Sequence, residues 1–234
     1  MLKKVCVCLL MGSVALSSAA CGDNGIEQKS PKESLAISYE KKSTTESQDA
    51  LYKTIFNNSL FVGDSMTERL KSGDFLDDKN VVAEMGGTTI KALHLVDEIA
   101  KRKPEHIFIS LGNNDLVRFA ERKDKPAEGP IKFVTSSYSQ LLKKIKEKLP
   151  NAKIHVLSVT PVSEEALKIG PEYKDIGHLN AALKELANAE KVDFIDLSPI
   201  FEKHKVPYLD EREGVHFTDD YYPLLLEYLK DIMK

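Results

Sequence analysis

The chain alternates short apolar runs with longer segments in which apolar residues recur at helical spacing. Five runs are strand candidates: Leu60–Val62, Val81–Ala83, Ile107–Ile109, Ile154–Leu157 and Val192–Ile195. Four segments have helical periodicity: Thr89–Lys101, Phe133–Lys148, Tyr173–Ala189 and Tyr221–Met233. Strands that alternate with helices of roughly 10–20 residues indicate βαβ units. The pattern therefore predicts an α/β domain with a parallel sheet that helices cover on both faces.

The N-terminal part of the chain does not follow this alternation. Lys3 and Lys4 precede an apolar stretch over residues 5–16, and small residues then lead to Cys21. This is the layout of a secretory signal peptide, and its apolar run is too short for a membrane span. Small residues before a cysteine resemble a bacterial lipobox, in which the cysteine is lipidated and becomes the first mature residue. The leucine common three positions before the cysteine is replaced here by Ser18.

The segment after this cysteine is polar and has few apolar residues, so it cannot bury enough surface to offset its ordering entropy. We predict a lipoprotein signal peptide over residues 1–20, a lipidated Cys21 with a disordered tether over residues 21–50, and one folded domain over residues 51–234. The expected location is the extracytoplasmic face of the cell membrane, with the lipid as anchor. The alternative is an ordinary signal peptide followed by an incidental cysteine.

Composition argues against several function classes. The formal net charge of −3 shows no excess of positive charge of the kind that binds nucleic acid. The chain has no Trp and only 7% aromatic residues, which argues against a surface that stacks on bases or long glycans. All three cysteines lie within the first 21 residues, so we expect no disulfide or cysteine metal site in the domain. The six histidines show no paired spacing typical of zinc.

Two predicted strands end in residues suited to chemistry, at the edge where open α/β sheets bind ligands. Ser65 follows the first strand, and its N–H would lie at a helix N-terminus, where partial positive charge favours an anion. Ser65 is equally explained as the N-cap of that helix. Gly86 follows the second strand, where a glycine lets the backbone approach a ligand closely. The alternative there is a turn, with Thr88 capping the next helix.

The third strand and the C-terminal region add an amide, an imidazole and two acids. Asn114 follows the third strand, and its amide can donate a hydrogen bond to a developing oxyanion. Asn is also common in turns. Glu213 lies three residues before His216, so one loop could present an imidazole and the acid that orients it. Asp210 is a second candidate for that acid.

Together and in this order, Ser65, Gly86, Asn114 and His216 resemble the four sequence blocks of the GDSL or SGNH hydrolase family, over about residues 58–230. The resemblance implies a three-layer α/β/α flavodoxin-like sandwich with a five-stranded parallel sheet. It also implies roles: Ser65 is the nucleophile and His216 the base. The backbone N–H groups of Ser65 and Gly86 and the Asn114 amide would bind the oxyanion. The family usually has Asp where this chain has Glu213, so the triad acid stays open between Glu213 and Asp210.

The resemblance implies a serine esterase that needs no metal or organic cofactor, and we expect the protein to be a monomer. We expect small acyl esters as substrates, with acetyl groups on carbohydrate or cell-envelope polymers as the first choice, because no extended apolar lid for long acyl chains is evident. A lysophospholipase or other lipid esterase is the second choice. Two further alternatives are an acyltransferase on the same fold and a non-catalytic binding module that keeps the SGNH fold.

Overall fold

The computed structural model describes residues 48–233, and a five-stranded parallel sheet lies at their centre. The strands are β1 (Ser59–Gly63), β2 (Val81–Ala83), β3 (His106–Ser110), β4 (Lys153–Leu157) and β5 (Asp193–Ile195). They pair in the order β2-β1-β3-β4-β5, and every pair is parallel. This order and the helices on both faces confirm the predicted α/β/α sandwich, and each predicted strand overlaps an observed one.

The helices connect the strands and cover both faces of the sheet. They are α1 (48–55), α2 (Ser65–Ser72), α3 (Thr89–His94), α4 (Val96–Arg102), α5 (Asn113–Glu121), α6 (Gly129–Lys148), α7 (Glu164–Ile169), α8 (Ile176–Glu190), α9 (Ser198–Lys203) and α10 (Tyr221–Ile232). Short 3-10 turns span Asp78–Asn80 and Pro171–Asp175. The predicted helix over Thr89–Lys101 is two helices, because the backbone leaves helical geometry at Leu95 (φ −95°, ψ 0°).

Strand alternation sorts the core into one hydrophobic cluster on each face of the sheet. Ile107 and Ile109 of β3 face the cluster under α6 and α8, whereas Phe108 between them faces the cluster under α1 and α10. Successive side chains of a strand point to opposite faces, which explains this division. Both clusters contain fully buried side chains, and each such apolar side chain contributes about 1.5–3 kcal/mol relative to exposure. The sheet is therefore a rigid platform for the loops that follow its strands.

The N-terminal predictions fall almost entirely outside the described residues. The predicted signal peptide and Cys21 lie outside them, as does the predicted tether except for residues 48–50. Those three residues belong to α1, so the described helix includes residues on both sides of the predicted boundary at residue 51. Within residues 48–233, each helix is too short or too polar to cross a bilayer.

Candidate active site

The turn between β1 and α2 places the Ser65 hydroxyl at the carboxyl edge of the sheet. Asp64 is the N-cap of α2, and its Oδ1 accepts a hydrogen bond from the Met66 backbone N–H at 3.1 Å. Ser65 is thus the first residue of the helix, and the alternative that Ser65 itself is the N-cap is wrong. The N–H groups of a first helical turn lack partners within the helix and attract negative charge. The Ser65 backbone N–H is therefore suited to stabilise an anion beside its own hydroxyl.

Ser65, His216 and Glu213 form a continuous chain of hydrogen bonds. The Ser65 Oγ lies 2.7 Å from the His216 Nε2, and the His216 Nδ1 lies 2.6 Å from the Glu213 Oε1. The other Glu213 oxygen accepts the backbone N–H groups of Val215 and His216, both at 3.0 Å. Asp210 instead accepts the Arg212 N–H at 2.8 Å. The structure thus brings Glu213, and not Asp210, into contact with the imidazole.

The hydrogen bonds to Glu213 also determine its charge state. Burial alone would raise the pKa of this carboxyl, but the backbone N–H groups of His216 and Val215 and the nearby imidazole outweigh burial, and the pKa lies below its ordinary value. Glu213 is therefore ionised at neutral pH. An ionised carboxylate at Nδ1 can hold the proton there and stabilise the imidazolium that forms when Nε2 takes a second proton.

The loop that carries Glu213 and His216 is attached to the start of α7. The Ser163 backbone N–H donates to the Gly214 carbonyl at 2.8 Å, and the Ser163 hydroxyl donates to the Glu211 carbonyl at 3.1 Å. Gly214 has φ +62°, and a Cβ there would overlap the Ser163 side chain, with only 2.6 Å to its Cβ. Gly214 is thus required by both the backbone conformation and the close approach of Ser163.

Asn114 lies at the start of α5 and is linked to the turn between β1 and α2 that carries Ser65. One N–H of its amide donates to the Asp64 Oδ2 at 3.1 Å. The same nitrogen carries a second N–H, which donates no hydrogen bond within the described residues and can donate to another acceptor. Burial raises the pKa of Asp64, although the hydrogen bond from the Met66 N–H and the charge of His216 oppose this. Asp64 therefore has two tasks: it caps α2 and orients the predicted oxyanion donor.

Gly86 and Gly87 after β2 have different roles in the structure, although the sequence analysis assigned the close backbone approach to Gly86 alone. A Cβ at Gly87 would lie 2.8 Å from the Gly63 carbonyl oxygen and 3.0 Å from the Asp64 Cα, so Gly87 is the residue that permits close backbone contact with the β1–α2 turn. Gly86 has φ +64° and open space at its Cβ position. Its N–H donates no hydrogen bond within residues 48–233, whereas the Gly87 N–H donates to Glu84 at 3.0 Å. The sequence analysis did not single out Gly87, although the pair of adjacent glycines indicated that the backbone has unusual requirements at both positions.

A hydrogen-bonded contact between Asp115 and Thr89 ties the first turn of α5 to the start of α3. The Asp115 Oδ1 accepts both the Thr89 hydroxyl at 2.6 Å and the Thr89 backbone N–H at 3.0 Å. Asp115 is almost fully buried, and burial raises its pKa to about 6. Thr88 caps α3 through the Lys91 N–H, as the turn interpretation predicts. These contacts fix the segment after β2, which carries Gly86, relative to the first turn of α5, which carries Asn114.

A cleft of about 760 Å³ opens beside Ser65 and His216. Its walls combine the exposed side chains of Met85 and Leu209 with the aromatic rings of Phe217 and Tyr222. Charged side chains complete the lining: Glu68, Arg69, Asp219 and Asp220. The sequence carried no signal for this cleft, because its residues come from α2, the loop after β2, the segment before α10 and the first turn of α10.

Another histidine cluster lies on the sheet and is separate from this site. His155 is buried on β4, with its Nε2 2.9 Å from the His106 Nδ1 and its Nδ1 3.1 Å from the Asp193 Oδ2. Burial lowers the pKa of His155 to about 4, so this imidazole is neutral and packs as part of the core. In the portion of the chain that the structure describes, no three side chains of metal-binding type come together to hold an ion.

Comparison with known proteins identifies a family with this architecture. The model of the GDSL-like lipase/acylhydrolase family matches residues 61–223, which include Ser65, Gly86, Asn114, Glu213 and His216. None of the curated proteins matches the chain.

Solved structures share the fold at low sequence identity. A Streptococcus pneumoniae protein described as a candidate platelet activating factor is 21% identical, with a TM-score of 0.57 over 86% of this chain and 99% of its own. A GDSL-like lipase from Bacteroides thetaiotaomicron is 19% identical, with a TM-score of 0.55 over 82% of this chain and 96% of its own. An acetyl xylan esterase is 17% identical, with a TM-score of 0.55 over 75% of this chain and all of its own. At these low identities, the similarity shows that the fold is shared and shows nothing further.

Proposed function

Because the chain belongs to the GDSL-like lipase/acylhydrolase family, we propose that it is a serine esterase that hydrolyses small acyl esters through an acyl-enzyme. The observation that carries the proposal is the hydrogen-bonded chain from Ser65 through His216 to Glu213, with distances of 2.7 Å and 2.6 Å. A nucleophile within reach of a base, and a base oriented by a third group, is the arrangement that activates a serine hydroxyl.

The reaction begins when the Ser65 Oγ attacks the ester carbonyl carbon and the His216 Nε2 takes the hydroxyl proton. The carbonyl oxygen becomes an oxyanion, which accepts hydrogen bonds from the backbone N–H groups of Ser65 and Gly86 and from the free N–H of Asn114. Glu213 stabilises the imidazolium. When the tetrahedral intermediate collapses, the ester C–O bond breaks and the leaving alcohol takes the proton from His216.

Water completes the cycle. His216 is neutral again once the alcohol has left, so it takes a proton from a water molecule that attacks the acyl carbon of the Ser65 ester. The same donors stabilise the second oxyanion. The proton then returns from His216 to the Ser65 Oγ as the carboxylic acid leaves, and the enzyme is restored. Each step uses side chains and backbone groups of this chain.

We propose acetyl groups on carbohydrate or cell-envelope polymers as the preferred substrates. The cleft beside Ser65 is open and, at about 760 Å³, far larger than an acetyl group, so it has room for a large alcohol moiety. Glu68 and Asp220 in its walls offer hydrogen-bond acceptors to sugar hydroxyls. An acetyl xylan esterase with the same fold supports this choice.

Lipid esters are a second candidate, favoured by two exposed apolar side chains at the cleft. Met85 is 77% exposed and Leu209 is 73% exposed, and both line the cavity. Apolar side chains displayed in this way could contact an acyl chain or a membrane surface.

A substrate panel separates the candidates. The purified mature protein would be assayed with acetylated xylo-oligosaccharides, with nitrophenyl esters of increasing acyl length and with lysophospholipids, and Ser65→Ala is the control. We expect acetyl release from the sugars and a rate that falls as the acyl chain lengthens. Faster hydrolysis of lysophospholipids than of acetyl esters would replace the first choice with the second. Acyl transfer to an added glycan, in preference to water, would indicate a transferase.

We further propose that a lipid on Cys21 holds the enzyme on the extracytoplasmic face of the membrane and that the enzyme acts as a monomer. The support is the basic, apolar and small-residue pattern of residues 1–20. Mass spectrometry of the mature N-terminus from the native host should find a diacylated or triacylated Cys21. Release of the protein into the medium with an unmodified N-terminus at another residue would contradict the anchor.

A further inference from the structure

A second bridge connects the two elements that carry Ser65 and His216. Arg69 lies four residues after Ser65, one turn along the same face of α2, and Asp219 lies three residues after His216. The Arg69 Nε donates to the Asp219 Oδ1 at 2.8 Å, and the Arg69 Nη2 donates to the Asp219 Oδ2 at 2.6 Å. The ion pair therefore joins the same two segments as the Ser65–His216 hydrogen bond, and both of its residues line the same cleft.

We propose that Arg69 and Asp219 are positioning residues that fix His216 relative to Ser65. The inference rests on the proposed function, in which His216 is the base and Ser65 the nucleophile. Ser65 and His216 lie 151 positions apart in the chain, so only non-covalent contacts set their separation. Their hydrogen bond is interrupted in each cycle, when the Ser65 oxygen becomes acylated. The ion pair persists through that step and keeps the imidazole in place.

The geometry of the pair suits this task. Two parallel N–H···O bonds from a planar guanidinium restrain both the distance and the relative orientation of the groups they join. The hydrogen bond from Arg69, followed by the charge of Arg69, lowers the pKa of Asp219 despite some burial, so the carboxylate is charged at neutral pH. Lysine at position 69 would keep the positive charge but could not form the two parallel hydrogen bonds that the planar guanidinium makes to Asp219.

The exposure of the pair distinguishes positioning from stabilisation. The side chains of Arg69 and Asp219 are 42% and 57% exposed, and ion pairs that are this exposed contribute little to stability. Misplacement of a catalytic group by about 1 Å can nevertheless lower a rate by roughly 100-fold. Loss of the pair should therefore change the reaction rate far more than the unfolding transition.

Arg69 could instead bind an anionic group of the substrate, because it lines the cleft. Its Nε and Nη2 are already bound to Asp219, which argues for the positioning role. The two roles predict different kinetics. A substrate-binding arginine acts mainly on KM and only toward anionic esters. A positioning pair acts on kcat for neutral esters and on the reactivity of Ser65 itself.

The test compares Arg69→Lys, Arg69→Gln, Asp219→Asn and the double variant Arg69→Gln/Asp219→Asn. For each protein, the rate of covalent labelling by a small neutral fluorophosphonate, kcat and KM for nitrophenyl acetate, and Tm would be measured. We expect labelling and kcat to fall about 10- to 100-fold with little change in KM or Tm. The double variant should be no slower than the slower single variant, because both substitutions remove the same restraint. Arg69→Lys should lie between wild type and Arg69→Gln.

Asp97→Asn is the matched control, because it removes an inter-element ion pair, Lys148–Asp97 at 2.8 Å, that is absent from the cleft lining. Its labelling rate should equal that of wild type. If wild type labels at Ser65 and Asp219→Asn labels equally fast, the positioning role is wrong while the proposed function stands. A rise in KM confined to anionic esters would assign Arg69 to substrate binding. Failure of wild type to label would overturn the proposed function itself.

Discussion

Replacement of Glu213 by Gln would change one contact of the hydrogen-bonded chain that we propose to be catalytic, with little change in side-chain shape. The Gln oxygen can still accept the backbone N–H groups of Val215 and His216, which the Glu213 Oε2 accepts at 3.0 Å. The group facing the His216 Nδ1 then becomes an amide NH₂. An N–H that donates to Nδ1 forces the ring proton onto Nε2, and Nε2 can no longer accept the Ser65 proton.

The size of the effect follows from the hydrogen bond and its exposure. A hydrogen bond to a charged group contributes about 1.5–3 kcal/mol, and about 1.4 kcal/mol corresponds to a factor of ten in rate, so its loss predicts a fall in kcat of roughly 10- to 150-fold. A loss of about 10⁴-fold is known where the corresponding acid is buried. The Glu213 side chain is 42% exposed, so water can replace part of its contribution and we expect the smaller figure.

The assay is steady-state hydrolysis of nitrophenyl acetate over a range of pH, with Glu213→Asp and Asp210→Asn measured beside Glu213→Gln. Glu213→Asp should lose less than Glu213→Gln, because it keeps the charge and restores the residue type usual in the family. Asp210→Asn should remain near wild type, because the Asp210 carboxylate accepts the Arg212 N–H and has no contact with the imidazole. A large loss in Asp210→Asn with near-normal Glu213→Gln would refute this reasoning. Small losses in both would indicate a Ser-His dyad.

Three further predictions follow from the site and its supports. Asn114→Ala should lower kcat by roughly 10²–10³-fold with little change in KM, because it removes a proposed oxyanion donor; a change in KM alone would make Asn114 a substrate-binding residue. Gly214→Ala should lower the free energy of unfolding by at least about 1 kcal/mol and reduce kcat, since φ is +62° and the new Cβ would overlap Ser163; urea unfolding with normal stability would contradict the required conformation. Asp115→Asn tests how the ionisation of a buried acid affects stability. Burial raises the pKa of Asp115 from 3.8 to about 6. Ionisation of this carboxyl therefore lowers the free energy of unfolding as the pH rises from about 4 to 6, and the full loss is present above about pH 6. Unfolding free energies measured at pH 4 and pH 7 should shift in favour of the variant at the higher pH by up to about 3 kcal/mol, and a pH-independent difference would contradict the shift.

The fold was predictable because its signals are local. The strands around Phe61, Phe108 and Val156 are buried on both faces of a parallel sheet. Each strand is therefore a short, nearly continuous run of apolar residues in the sequence, which is the pattern that predicts a buried parallel strand. The helix α5 was missed because it begins at Asn113 and Asn114, which have low helix propensity and are common in turns. The break at Leu95 was missed because apolar periodicity continues across it.

The candidate site was predictable where a chemically capable side chain follows a strand or has an acid nearby in the sequence. Ser65 and Asn114 follow β1 and β3, whereas His216 lies between α9 and α10 and was identified by Glu213 three residues before it. Sequence spacing left Glu213 and Asp210 open, because the direction of a loop side chain depends on contacts distant in the chain. The contact of Ser163 with Gly214, 51 residues further on, holds that loop and could not be read from a local pattern.

Covalent labelling by a fluorophosphonate, with the modified residue identified by peptide mass spectrometry, tests the central claim most directly. The reagent reacts with serines whose hydroxyl is activated by a neighbouring base, so it measures the Ser65–His216 pair without assuming a substrate. We predict one adduct on Ser65 in wild type, none in folded Ser65→Ala, and strongly slowed labelling in His216→Ala. A folded wild-type protein that remains unlabelled, or an adduct on another residue with Ser65 unmodified, would contradict the account.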